Sequence, residues 1–559
     1  MSARRAVTDA LERLAFAATL LGDPRARTWA SAAWAVRSLK GDVEAMHADG
    51  SLAEVRGVGE GVMDVVGEVL TGERPEALRR MEAQIPEGLF AIRRIKGLGP
   101  KKIAALFEQL GVATLGELEY ACLENRLVDL KGFGAKTQAK VLAQIRAIRE
   151  TEGLMRRDQA AAVLDAVLAH VREVLGARAV AVGEHARGLE LVRELAVLVE
   201  TSDEAAARAA VDEARPPETE VAAHVAEPGR FGVAELWRTS SEGHRARMIE
   251  RAGALGMVLD EGGLADDDGE LFCATAADVY EALGLVPTAV ERREDRVPLV
   301  ERGRAAPELV TRAALRGALH NHTIASDGSA SLEEMRDAAA AHGLSYLGIS
   351  EHSRSAFYAR GLDEERLRAQ VEAIRALRAQ DEDGCVLLTG VESDILADGS
   401  LDYAPDLLDE LDVVIASVHR RHGQGPEAMT ARMLAAARHP HTDVVGHPTG
   451  RLLLGRPPSE YDVEAFLDAC AANDVAVELN ANPHRLDLNE VHLAMAKERG
   501  VLVSIAADAH ATRELDHLEH GVTLARRAGL GPEDVLNART LDELRAWRDA
   551  RRRGWSGRS

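Results

Sequence analysis

Aromatic side chains are scarce in this 559-residue chain: five tryptophans, six tyrosines and eight phenylalanines make up 3% of it. Leu, Val and Ala must therefore fill its cores. Cysteine is nearly absent as well, with thiols only at Cys122, Cys273, Cys385 and Cys470. Their scatter excludes a disulfide framework and a zinc-finger spacing, and suits a reducing cytoplasm. No apolar run approaches the roughly 20 residues of a membrane span. The opening MSARRAVTDALERLAFAATLLGD carries acids at helical periodicity, which a signal peptide does not. A membrane partner is thus not expected, and the expected home is the cytoplasm.

What is present describes a globular protein, with 46% hydrophobic and 28% charged residues. The length exceeds one ordinary core and predicts about two to four domains. The net charge of −23 argues against a nucleic-acid partner until it is read by region. Residues 1–150 carry a net +2, and 91–150 alone +5, so the remainder holds −25. The front is mildly basic and the back strongly acidic.

Three phrases repeat in that front: VRGVGEGV (55–62), IKGLGPKK (95–102) and LKGFGAKT (130–137). Each reads apolar, any residue, Gly, apolar, Gly, and each leads into a helical run. The pairs Gly57/Gly59, Gly97/Gly99 and Gly132/Gly134 permit a tight turn and close backbone approach. The amides opening the second helix then form an anion site. Lys101, Lys102 and Lys136 follow the second and third turns. Backbone phosphates of DNA suit such a site, bound without reading sequence. The three copies resemble the helix-hairpin-helix motif. Their order, with LGVATLGELEYACLENRLVDLKGFGAKT between the last two, resembles the front of bacterial family X DNA polymerases. Some relatives carry lysines on the first hairpin's second helix for sugar-phosphate lyase chemistry. Here that stretch is GVMDVVGEVL, without lysine, so lyase activity is not expected.

Residues 155–300 resemble the palm and fingers of the same polymerases. Active members have Gly-Ser and then two aspartates one residue apart on a strand, which hold magnesium. In ARAVAVGEHARGLELVRELAVLVET (177–201), Gly183 is followed by Glu184, and the carboxylate positions align with Glu194 and Ala196. A third acid is expected from a later strand, and VAELWRTSSEGHRARM offers Glu235. The resemblance implies a surviving fold with a degenerate polymerase site.

Histidine then becomes dense: 14 of 19 fall in residues 311–520. Seven apolar, strand-like runs recur there, each followed by a helical stretch. GALHNH ends in His320 and His322, with Asp327 five residues on; LSYLGISEH ends in His352; CVLLTGVES contains Glu392. LDVVIASVH ends in His419, TDVVGHP holds His447, VAVELNAN closes on Asn480 and Asn482, and VLVSIAADAH ends in Asp508 and His510. Strands alternating with helices predict a parallel barrel, and the carboxyl ends of such strands converge on one face. Six histidines and three carboxylates there suit several ions of zinc, manganese or iron(II).

This segment resembles the PHP (polymerase and histidinol phosphatase) family of metal-dependent phosphoesterases. The resemblance implies nine ligands (His320, His322, Asp327, His352, Glu392, His419, His447, Asp508 and His510) for two to three divalent ions. It makes Glu392 the bridging carboxylate and Arg485 a phosphate contact. Catalysis is then expected from His320, His322, Glu392, Asp508 and Arg485. Glu351, where Asp often precedes the histidine, is expected to matter little. The other histidines are expected at the surface or behind the ligands.

The fold expected is therefore multidomain. Residues 1–152 form an α-helical helix-hairpin-helix domain, 153–300 an α+β polymerase-beta-like palm region, and 311–559 a distorted (β/α)7 PHP barrel. The implied function is a metal-dependent DNA 3′-5′ exonuclease or 3′-phosphoesterase in DNA repair, a nucleoid-associated monomer acting on gapped or 3′-ended DNA. Three rivals stand beside it: a gap-filling family X polymerase with exonuclease, a histidinol-phosphatase-like small-molecule enzyme, and a non-catalytic DNA-end-binding module. The basic tail in ARTLDELRAWRDARRRGWSGRS is expected either to touch DNA or to fray into solvent.

Overall fold

A computed structural model describes residues 3–39, 43–150, 153–380 and 384–556. They divide into two compact units: residues 1–148 with 454–456, and residues 149–453 with 457–559.

The first unit is helical. Its core is aliphatic, built on Leu11, Leu14, Leu52, Leu89, Ile92, Ile103 and Leu106. The three repeated phrases form three turns of one design. Gly57, Gly97 and Gly132 take φ of +100°, +94° and +90°, a region closed to most side chains. The residue between each glycine pair, Val58, Leu98 or Phe133, is buried in the core. Each pins the turn by donating its amide three residues back, at 2.9, 3.2 and 2.9 Å. The helices Glu60–Leu70, Pro100–Leu110 and Ala135–Glu150 follow directly.

The second unit begins with an α+β region. The sheet that matters here has three strands, β1 (Ala179–Val182), β2 (Leu195–Glu200) and β3 (Val221–Ala226). β2 is central, antiparallel to β1 and parallel to β3, with Ala196 opposite Ala222. Helices Arg157–Leu175 and Glu204–Ala214 cover one face through Leu164, Val167, Ala207 and Val211. On the other face Ala196 packs with Val182, Leu198 and Phe231.

Seven parallel strands then form a nearly closed barrel in sequential order. They are β4 (Gly317–Ala318), β5 (Tyr346–His352), β6 (Val386–Asp394), β7 (Val413–Ser417), β8 (Val444–Val445), β9 (Ala476–Asn480) and β10 (Val503–Ala506). A parallel bridge between Asn321 and Ala509 brings the first and last strands together beyond their ends. These strands are buried on both faces, which explains their near-continuous apolar sequence. The lower interior is filled by Leu319, Tyr346, Leu388, Val413, Ile415 and Val444.

The basic tail does not fray. Residues Leu541–Ser556 form a helix whose Leu544 and Trp547 pack on that lower interior. Its Arg551 and Arg552 both pair with buried Asp443, the latter at 2.8 Å. Apolar residues on one helical face and a buried carboxylate to meet two guanidinium groups make docking the favoured state. Residues 557–559 of the tail lie outside the described residues.

Candidate metal centre

The barrel brings together the nine residues expected as ligands. Three overlapping groups could each hold a metal ion: His322, Asp327, His352 and His510; His320, His322 and Asp508; and His352, Glu392 and His419. Within each group the ligand atoms lie within 4.8 Å of one another. His447 joins through Glu392, whose Oε1 lies 3.0 Å from both His447 Nε2 and His419 Nε2. Glu392 Oε2 lies 2.8 Å from His352 Nδ1, so one carboxylate spans strands β5, β7 and β8. Asp508 Oδ1 stands 3.3 Å from His322 Nε2 and 3.5 Å from His320 Nε2. Asp327 reaches His352 and His510 at 3.4 and 3.3 Å.

The rings are crowded together. His322 stacks between His352 and His510, with centroids 4.4 and 4.3 Å away. His322 is fully buried and makes no hydrogen bond through either ring nitrogen. His320 Nε2 and Asp327 Oδ2 are likewise buried without a hydrogen bond. Buried polar atoms are normally satisfied, so orphans converging on one point fit a bound ion. Burial, helped by His510 and His352, pulls His322 down to about 3 and keeps its imidazole neutral, the form that ligates. Burial opposes charge on Glu392 and Asp508, yet the surrounding histidines outweigh it and hold both carboxyls well below the usual range.

A second layer fixes these ligands. His320 Nδ1 faces Glu478 Oε2 at 2.7 Å, and His419 Nδ1 donates to Asp394. Both contacts leave Nε2 aimed into the cluster. Asn480 Nδ2 donates to Asp508 Oδ2 at 2.9 Å, and the His447 amide donates to Glu478 at 3.1 Å. Glu478 and Asp394 were not singled out from sequence. Their signal is a carboxylate two residues from Asn480 or Glu392 and therefore on the same face of the strand. Glu351 is also more than a neutral neighbour. Its buried carboxylate accepts from the Thr323 amide and Gln370, both at 3.1 Å, and from the hydroxyls of Thr323 and Ser326. It thus ties the loop that presents Asp327 to β5. Among the remaining histidines, His441 and His484 are buried and none of the others is fully exposed.

Arg485 is buried, its Nε 3.8 Å from Asp508 Oδ2. Its loop is held by Arg451, whose Nε donates to Arg485 O at 3.0 Å and whose Nη2 also donates to Leu486 O. The same guanidinium pairs at 2.6 Å with Glu190, from the loop before β2.

The expected polymerase carboxylates come out differently. Glu194 is exposed just before β2, and Ala196 is 9% exposed against Phe231 and Leu198. Glu235 does not come from a strand. It lies on the helix Phe231–Arg238 and pairs with Arg178 at 3.3 Å. The strand beside β2 is β3, Val221–Ala226, which has no carboxylate. Short apolar runs such as VAELW fit either period, and tertiary packing chose the helix. Among the described residues, every group able to hold a metal lies in the barrel.

In the first unit, Gly59, Gly99 and Gly134 have non-positive φ and open space where a Cβ would stand. Neither conformation nor packing requires glycine there. Lys101 and Lys136 are exposed beside these turns, while Lys102 lies over the Phe133 ring at 5.3 Å.

A seven-stranded parallel barrel with metal-holding groups at its strand ends defines the PHP class, and residues 318–482 match the PHP domain model. Residues 91–147 match a SAM-like helix-hairpin-helix tandem. The chain is 31% identical over 538 residues to the DNA polymerase/3′-5′ exonuclease PolX of Bacillus subtilis, covering 92% of this chain and 94% of that protein. The chain belongs to the PolX family. A probable phosphatase of Caldanaerobacter subterraneus subsp. tengcongensis is 27% identical over 31% of this chain and 70% of its own length. One of Syntrophotalea carbinolica is 29% identical over 28% of this chain and 67% of its own. No helix among the described residues is long and apolar enough to cross a membrane.

Proposed function

We propose that the chain is a metal-dependent nuclease that removes nucleotides from DNA 3′ ends during repair, with the barrel as its catalytic part. The observation that carries this reading is the set of overlapping ligand groups in one barrel mouth, in a chain that also carries the hairpin tandem. Residues 1–152 hold DNA, 153–300 form a polymerase-like body, and 311–559 cleave. His320, His322, Asp327, His352, Glu392, His419, His447, Asp508 and His510 hold two to three divalent ions. Manganese and zinc suit this mixed nitrogen and oxygen set, and iron(II) is a further fit. When bound, such ions supply an activated water near neutral pH and neutralise phosphate charge.

The protein's own contribution is orientation. Glu478 and Asp394 fix the tautomers of His320 and His419, Asn480 aligns Asp508, and Arg451 holds the loop that aims Arg485 at the substrate phosphate. At the hairpins, the glycine turns and Lys101, Lys102 and Lys136 grip the phosphate backbone without reading bases. The enzyme acts in the cytoplasm, at the nucleoid, as a monomer. Nucleotide addition is not expected, because Ala196 and the strand β3 offer no partner for Glu194.

Metal analysis with strand-labelled DNA tests the reading. The purified protein should carry two to three equivalents of divalent metal and shorten a 5′-labelled strand stepwise. His320→Ala should lose both properties. The probable-phosphatase relatives favour one rival, a small-molecule phosphatase. Phosphomonoester turnover with intact DNA would establish that rival instead.

A further inference from the structure

One aromatic ring at the barrel mouth has no role in the ligand network. Phe357 is 61% exposed; among the phenylalanines Phe272 and Phe107 are exposed as well, but Phe357 follows a ligand-bearing strand. It sits in the short helical turn Phe357–Ala359, five residues past His352. Arg420, the residue after His419, lays its guanidinium over the ring at 5.4 Å. Two ligand-bearing strands, β5 and β7, therefore send a ring and a cation to one place on the rim. Ile324, two residues past His322, is also exposed, at 58%.

The turn that displays Phe357 is not slack. Ser353 bridges Leu362 across its base, and the Leu362 amide donates to His352 O at 2.8 Å. The amide of Ser355 donates to Asp402 at 2.7 Å, and its hydroxyl donates to Asp394. The fold thus holds an apolar ring out in water, although burying it would be favourable. Every nucleobase offers a flat face that can recover that loss, and an arginine beside the ring suits the adjoining phosphate.

We propose that Phe357 and Arg420 form a stacking platform for the base next to the scissile phosphodiester. This rests on the exonuclease reading above. The platform accepts any base, because each has the same kind of face. It fixes the strand end relative to the ligand cluster, while the hairpins hold the backbone.

The test pairs a protein change with a substrate change, in the full-length protein with manganese. One single strand carries normal 3′-terminal nucleotides, and a second has abasic residues at the last two positions. Phe357→Ala should raise KM on the normal strand by roughly tenfold or more, with kcat changed far less. Phe357→Trp should restore it. The wild type on the abasic strand should show a similar rise, and combining variant with abasic strand should add little, since each removes one side of the same contact. Arg420→Ala should raise KM on both strands and flatten its salt dependence. Full additivity of variant and abasic effects, or no change with Phe357→Ala on the normal strand, would overturn the platform. A wild type inert on both strands would remove the exonuclease reading, and the platform with it.

Discussion

The strand β2 and the strand β6 invite comparison. Each is buried in the middle of a sheet. β6 carries Glu392, met by three histidines, with Asp394 behind one of them. β2 carries Ala196, met by Val182, Leu198 and Phe231. The two regions differ in what fills the site face, while both are buried strands in a sheet. Apolar alternation is enough to keep a sheet, whereas a metal site needs several charged groups that compensate one another. A lone buried carboxylate without such partners is a liability, so an apolar filling is the more stable one where they are missing.

The largest effect expected from this contrast is on the barrel side. Glu392→Ala should lower nuclease turnover by at least about a thousandfold, roughly 4 kcal/mol of transition-state stabilisation. Chelation should do the same and be reversed by manganese. The polymerase side gives the opposite result: Ala196→Asp should create no nucleotide addition. It buries a charge against Phe231 and should cost about 3 kcal/mol in a denaturant titration. Gap filling by that variant would break the comparison.

The supporting layer should give intermediate effects. Glu478→Gln and Asp394→Asn keep shape but lose charge behind His320 and His419. Each should lower metal affinity or activity about 10- to 100-fold, read by metal titration. At the other face of the barrel, Arg551→Ala should cost about 3–5 kcal/mol, because it leaves Asp443 buried with less compensation. Burial raises the Asp443 carboxyl, but Arg551 and Arg552 outweigh it and leave it lowered. Its contribution is therefore present above the unfolded value of about 3.9 and lost as pH falls through the lower folded value. Arg551→Ala should remove part of that acid-side loss in a pH series of melts. The smallest effects belong to the hairpins. Lys101→Ala or Lys136→Ala should weaken DNA binding across sequences and lower the salt slope by about one each.

Much of this was legible in the sequence, for a physical reason. A charged residue closing an apolar run marks a strand end, so His320, His352, His419 and Asp508 announced both the barrel and its mouth. Glu478 sits inside its run, and Asp394 closes β6 one residue past CVLLTGVES, where the charge is easily passed over. Backbone conformation was hidden as well. His447 and Asp508 adopt φ of +25° and +51°, sparsely populated values that turn ligand-bearing backbone toward the cluster. Glu235 was misplaced because a short alternating run does not separate strand from helix. The helix Leu541–Ser556 was misjudged because its arginines read as surface charge until Asp443 came into view.

The most direct test of the central claim uses a gapped duplex with a 5′-labelled upstream strand, manganese, and the wild type beside Glu392→Ala. The account predicts a ladder of strands shortened from the 3′ end by the wild type and none by the variant, with no extension when nucleotides are added. Shortening that survives Glu392→Ala would contradict the assignment of the barrel as the catalytic centre.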